Sequence, residues 1–175
     1  MNLKKLTIII CIIWTVIVSF WVIKSEYILI TGRKVLLKTI PVDPKDLLMG
    51  DYVILNYDIS QVPEKYKNTK YKPNEEVYVV LKTDKDNIAT IDRIQTFSEP
   101  DDPLYIKGKI SKCNTIVPLW KTGTCINYGI ESYYVKEHTG KDLEKNLRDG
   151  ALVKISIDRQ GNAKVKEFIE NKSIQ

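Results

Sequence analysis

The sequence predicts a mainly β protein, with an N-terminal transmembrane helix followed by a single β-barrel or sandwich-like domain that carries one short helix. Three observations carry this expectation. The chain opens on an uninterrupted apolar run, Leu6–Ile23. After Gly32 the apolar spacing changes from helical to alternating. About eight short alternating segments then follow, separated by turn-forming residues, as in barrels and sandwiches. A length of 175 residues holds one domain and an anchor but falls short of two ordinary domains. The expected organisation is a membrane anchor over 1–32, an extracytoplasmic β-rich domain over 33–170 and a disordered tail over 171–175.

Leu6–Ile23 holds 18 residues without a charge, and Thr7, Thr15 and Ser19 are its only hydroxyls. As a helix it is about 27 Å long, close to the thickness of the hydrocarbon layer. Backbone groups in lipid must pair internally, so a helix is the single-segment solution. The exit Ser19-Phe20-Trp21-Val22-Ile23-Lys24 is bulky, unlike a signal-peptide cleavage site. Cys11 follows Ile8-Ile9-Ile10, not the small residues of a lipoprotein site. An uncleaved signal-anchor is therefore expected, with residues 6–23 in the bilayer. The apolar spacing continues through Thr31, and Gly32 suits a C-terminal cap, so the helix is predicted from about Leu3 to Thr31. Lys4 and Lys5 precede the span, while Lys24, Arg33, Lys34 and Lys38 follow it. The charges nearest the span favour an inside N-terminus and a domain outside.

The domain begins with a strand at Val35–Thr39, broken by Pro41 and Pro44, with one helical turn around Asp43–Leu47. A turn at Gly50-Asp51 leads into the strongest strand, Tyr52–Ile59. Ser60–Asn74 is polar and aperiodic, a loop. Glu76–Thr83 and Ile88–Phe97 form a hairpin. Leu104–Ser111 and Ile126–Val135 are further strands, Lys141–Arg148 a short helix, and Ala151–Asp158 with Ala163–Phe168 a closing hairpin. Lys45-Asp46-Leu47 before Gly50-Asp51 is echoed by Lys141-Asp142-Leu143 before Asp149-Gly150, either a trace of two pseudo-equivalent halves or coincidence.

The formal charge is +5, of which Lys4, Lys5 and Lys24 supply +3. The rest of the chain carries the other 24 basic residues and all 22 acidic ones, interspersed. That balance argues against a nucleic-acid binder, which needs a concentrated basic face.

Pro41–Tyr57 contains Gly50, Asp51, Tyr52, Leu55 and Tyr57, and this segment resembles the signature of the bacterial GDYXXLXY family. A second block, Tyr128-Gly129-Ile130-Glu131-Ser132-Tyr133-Tyr134-Val135, is similar to that family's downstream Tyr-Gly-Ile-Glu segment. With the apolar helix, the resemblance covers essentially the whole chain. It implies a membrane-anchored protein of the kind that often accompanies multi-spanning membrane proteins, and it carries no established chemistry.

The motif's own physics points to structure before catalysis. Gly50 suits a positive φ in a tight turn, and Asp51 suits acceptance of backbone N–H bonds that hold it. Alternation puts Tyr52, Ile54, Asn56 and Asp58 on one face and Val53, Leu55, Tyr57 and Ile59 on the core face. Tyr57 should bury its ring and find a hydrogen-bond partner, leaving Tyr52 freer for a surface contact. Cys113 and Cys125 enclose eleven residues. They are read as a disulfide if the domain lies outside, or as two free thiols in a reducing compartment. The single histidine, His138, lies in a polar turn, and one histidine excludes a His-rich zinc site. The acidic groups Glu99, Asp101 and Asp102, and Asp84, Asp86 and Asn87, read as hairpin turns, not calcium loops. A signal-peptidase-like hydrolase would need a serine before the Gly-Asp turn, and Gly32–Asp51 contains none, so Lys107 or Lys109 has no nucleophile to activate. No cofactor, metal or catalytic set is expected. The sequence is therefore read as a non-enzymatic accessory or protein-binding module acting with another membrane protein through a strand edge or the loop Gln61–Lys72. The alternative is a small-ligand or cell-wall-binding module.

Overall fold

The computed structural model describes residues 3–40, 52–66, 69–113, 123–134 and 151–169. Helix α1 runs Leu3–Thr31. Nine strands follow among the described residues: β1 (Arg33–Lys38), β2 (Tyr52–Ile54), β3 (Glu76–Thr83), β4 (Ala89–Gln95), β5 (Tyr105–Lys112), β6 (Thr124–Asn127), β7 (Ser132–Tyr134), β8 (Leu152–Ile157) and β9 (Ala163–Ile169). The expected turns over 43–47 and at Gly50-Asp51, the helix at Lys141–Arg148, His138 and the tail lie outside the described residues.

The strands pair antiparallel in the orders β1-β8-β9, β2-β7 and β4-β3-β5-β6. Isolated bridges join these sheets into a curled half-barrel: Leu36 with Ile88, Thr39 with Tyr57, and Gln61 with Cys125. The β8–β9 turn also reaches the larger sheet, where the Lys107 amide donates to the Gly161 carbonyl at 2.9 Å. Alternation fills the interior. Val35 and Leu37 of β1, Val77 and Val79 of β3, Ile106 of β5 and Val153 and Ile155 of β8 are all buried. Each such aliphatic side chain contributes about 1.5–3 kcal/mol when taken from water. Thr39, Ser60 and Ser156 are buried polar exceptions, and the Thr39 hydroxyl both donates to the Ala151 carbonyl and accepts from the Ala151 amide, each at 2.9 Å.

α1 is long and apolar enough to cross a membrane, and the apolar window within it is not buried by the domain. Its last turns are different. Ile28 is buried against β8, and its carbonyl accepts from the Ser156 hydroxyl at 2.6 Å. Gly32 ends the helix, its amide donating to the same Ile28 carbonyl at 3.0 Å. It does so without a left-handed backbone, since the positive-φ glycines among the described residues are Gly129 and Gly161. Gly32 is needed for closeness instead. A Cβ there would sit 2.3 Å from Ser156 Oγ and 2.5 Å from the Ile28 carbonyl oxygen.

Two strands differ from expectation. The segment read as one strand over 52–59 is β2 over its first three residues, followed by a 3₁₀ turn at Asp58–Ser60. The backbone stays extended at Tyr57 (φ −101°, ψ 148°), so the alternation holds while the pairing partner changes. The segment read as one strand over 126–135 is divided into β6 and β7 by a turn at Gly129, where φ is +78°. The supposed loop over 60–74 contains a second 3₁₀ turn, Glu64–Tyr66, and buries Val62.

Candidate functional site

The two motif blocks meet. β2 pairs with β7, placing Tyr52 opposite Tyr134 and Ile54 opposite Ser132. Just beyond β2, the Leu55 amide donates to the Glu131 carbonyl at 2.6 Å. Two tyrosines then cross between the blocks. The Tyr57 hydroxyl donates to the Ile130 carbonyl at 2.8 Å, and the Tyr128 hydroxyl donates to the Ile59 carbonyl at 2.6 Å. Both rings are buried among Leu55, Ile59, Ile126 and Ile130. Each phenol thus satisfies a backbone acceptor of a buried residue, Ile130 within the second block and Ile59 two residues past the first. Burial pushes both hydroxyls well above the usual tyrosine value, and the nearby Glu131 carboxylate adds to the shift. Neither phenol is suited to proton transfer near neutrality.

Glu131 is bound into the same turn. Its carboxylate accepts from the backbone amides of Tyr128 and Gly129, the latter at 2.8 Å. These bonds hold the positive-φ turn that separates β6 from β7.

Beside this clasp lies an open cleft of about 520 Å³. Gly108 forms part of its wall, where a Cβ would collide with Ile126 and approach the Tyr128 ring. Glu76, Lys107, Lys109 and Glu131 bring both signs of charge to it, and Asn74 and Asn127 supply amides. The Ser111 hydroxyl donates to Asn127 Oδ1 at 3.1 Å, and the Lys107 ammonium lies 5.5 Å from the centre of the Tyr78 ring. A mixed lining of this kind suits a polar ligand held by hydrogen bonds. Among the described residues, no three His, Cys, Asp or Glu side chains gather as they would around a metal ion.

The structure separates the other sequence candidates. Gly50 and Asp51 lie outside the described residues, and Tyr52 is described by its strand pairing alone. Leu55 and Tyr57 are core residues. Cys113 and Cys125 form a disulfide, with Sγ–Sγ 2.01 Å, at the β5–β6 end. The acidic groups serve turns and pairs. Asp84 Oδ1 accepts from the amides of Asp86 and Ile88, Asp102 pairs with Arg93, and Glu99 meets the buried Tyr105 hydroxyl. Burial first, and then the bond to Glu99, pushes that phenol upward too. The reading of residues missed Asn74 and Asn162 as cleft residues. Asn74, with φ +62°, looked like any turn asparagine.

No curated protein and no solved structure matches this chain. The model of the GDYXXLXY protein family matches residues 14–168, taking in more than half of α1, both blocks of the clasp and the closing hairpin. With the match extending over most of its length, the chain belongs to the GDYXXLXY protein family.

Proposed function

We propose that the protein is a membrane-anchored, extracytoplasmic and non-enzymatic module that presents a binding surface to another membrane protein. The observation that carries this reading is the junction between helix and domain. A simple tether needs only a flexible linker, whereas α1 continues past Lys24 and docks on β8 through Ile28, Ser156 and Gly32. Such a junction sets the height and orientation of the domain, which matters for a partner that is itself fixed in the bilayer. Outside α1, Phe97 and Tyr134 are the large apolar side chains left exposed among the described residues. They are the natural positions for probing contact.

A photocrosslinker placed at Phe97 or Tyr134 of the full chain in native membranes should capture a membrane protein. Peptidase activity in the purified chain, abolished by Asp51→Asn, would sink the reading. Labelling of Cys113 and Cys125 in intact cells with an impermeant thiol reagent after reduction tests the side of the membrane. Labelling is expected, and protection under both oxidised and reduced conditions would place the domain inside.

The cleft favours a second reading, a small polar ligand held between Lys107, Glu76 and Asn127. A thermal shift in a ligand screen, lost with Lys107→Ala and with Asn127→Ala in chains that still fold, would support it.

A further inference from the structure

The outer face of the β1-β8-β9 sheet carries charge that neither the clasp nor the cleft uses. Register places Lys34 opposite Ser156, and Ser156 opposite Lys164. These three share the outer face, because Val35, Ile155 and Ile157 beside them turn into the core. The next row on that face sets Leu36 opposite Lys154, and Lys154 opposite Glu167. The irregularity after Lys154 leaves Lys166 without a partner on β8, and its side chain is exposed. Among the described residues, Glu167 is the carboxylate that pairs within this group, with Lys154. Lys34 stands close enough to Lys166 to push that ammonium below the usual lysine value, and Lys154 adds to the effect.

The junction fixes where this face lies. The Ile28 carbonyl rests on Ser156, in the middle of the first row. The Lys164 ammonium reaches the Ser25 hydroxyl, beside Lys24, the first charge after the apolar run. Ser25 to Ile28 is about 4.5 Å along a helix. The row of Lys34 and Lys164 therefore begins within about one Debye length, roughly 8–10 Å, of the point where the apolar helix ends, whatever its tilt.

We propose that this face, with Lys34, Lys154, Lys164 and Lys166, is a docking surface for the anionic phospholipid headgroups of the bilayer that α1 crosses. The inference rests on the reading of α1 as a membrane span. Strand geometry favours a lipid surface over one soluble anion. Neighbouring strands lie about 4.8 Å apart and same-face residues about 6.7 Å apart along a strand, so Lys154 and Lys164 add charge beyond the close pair Lys34 and Lys166, with the end of α1 seated on Ser156 between Lys34 and Lys164. Charge spread over two rows in this way suits several phosphates of a lipid surface better than one anion. Basic groups so close to the membrane surface are each drawn to anionic lipid, and the attraction fades within a Debye length. Docking would relieve the crowding between Lys34 and Lys166.

The test uses the full chain in lipid nanodiscs, with lysine acylation rates read residue by residue by mass spectrometry. Discs of neutral phosphatidylcholine are compared with discs in which part of that lipid is phosphatidylglycerol. Lys34, Lys154, Lys164 and Lys166 should react at least about threefold more slowly in the anionic discs. The exposed Lys70 and Lys112, away from this face, should keep their rates. The variant K34Q/K166Q should lose most of the slowing at Lys154 and Lys164, and full retention would overturn the proposal. Equal rates in the two discs, with the chain incorporated, would overturn the docking and leave the span standing. A chain that does not enter the discs overturns both. Slowing in neutral discs on addition of inorganic phosphate alone would assign the face to a free anion and overturn the lipid surface.

Discussion

The hydroxyls of Tyr57 and Tyr128 illustrate how much a single buried oxygen can hold. Each serves a distant carbonyl, Tyr57 that of Ile130 in the second motif block and Tyr128 that of Ile59, two residues past the first. Removing one leaves a buried acceptor unpaired, at a cost of about 1–3 kcal/mol. Tyr57→Phe and Tyr128→Phe should each lower the free energy of urea unfolding by that order. The two bonds hold the same pair of segments, so the double variant should depart from the sum of the singles. Strict additivity would mean that the tyrosines act separately and that the clasp is not a unit. Glu131→Gln keeps the shape of the side chain that receives the Tyr128 and Gly129 amides but weakens those bonds by removing the charge. Its loss of stability should be smaller than that of Glu131→Ala, which empties the turn of its acceptor.

The junction and the disulfide are devices of elements. Gly32→Ala would place a methyl where Ser156 Oγ and the carbonyl oxygens of Ile28 and Ile157 already sit. Two of those neighbours are backbone, so the helix must move off β8, at about 1–3 kcal/mol. The expected result is a broader distance distribution between spin labels on α1 and on β8, with the β core still folded; an unchanged distribution would show that the helix accommodates the methyl without leaving β8. The Cys113–Cys125 bridge joins the ends of β5 and β6, already paired through Ser111 opposite Cys125. Its reduction should lower stability by on the order of 3 kcal/mol, the usual effect of closing a loop of this length. Helix α1 was legible from residues alone because lipid-scale hydrophobicity and helical spacing agree across it. β3, β5 and β8 were legible because alternation there coincides with an unbroken ladder on at least one side, and β9 because it closes a hairpin with β8. The division at Gly129 was hidden, since Ile126, Tyr128 and Ile130 keep the alternation of one strand across a turn. The cleft was hidden for a related reason: Asn74, Lys107, Asn127 and Asn162 come from separated segments, and pairing rather than pattern brings them together.

At the scale of the molecule, the sheets depend on one another through few links, and the clasp is among them. Thr39 bridges Tyr57, Gln61 bridges Cys125, and the Tyr128 hydroxyl ties β6 back to the segment between these bridges. Loss of the clasp should therefore propagate to all three sheets, and alkali is the condition that attacks it. An unfolded tyrosine ionises near pH 10, whereas burial holds Tyr57, Tyr128 and Tyr105 protonated to higher pH in the folded chain. For an acid whose folded value is raised, the stability linked to it is present in full below the unfolded value. It falls as pH rises past about 10, because the unfolded chain releases protons that the folded chain retains. Phenolate absorbance from Tyr57, Tyr128 and Tyr105 should therefore appear only in a steep step that coincides with loss of far-ultraviolet circular dichroism. Tyr57→Phe and Tyr128→Phe should each shrink that step by one phenolate. A step of unchanged size in both variants would show that the clasp phenols are open to solvent and ionise before the β structure is lost.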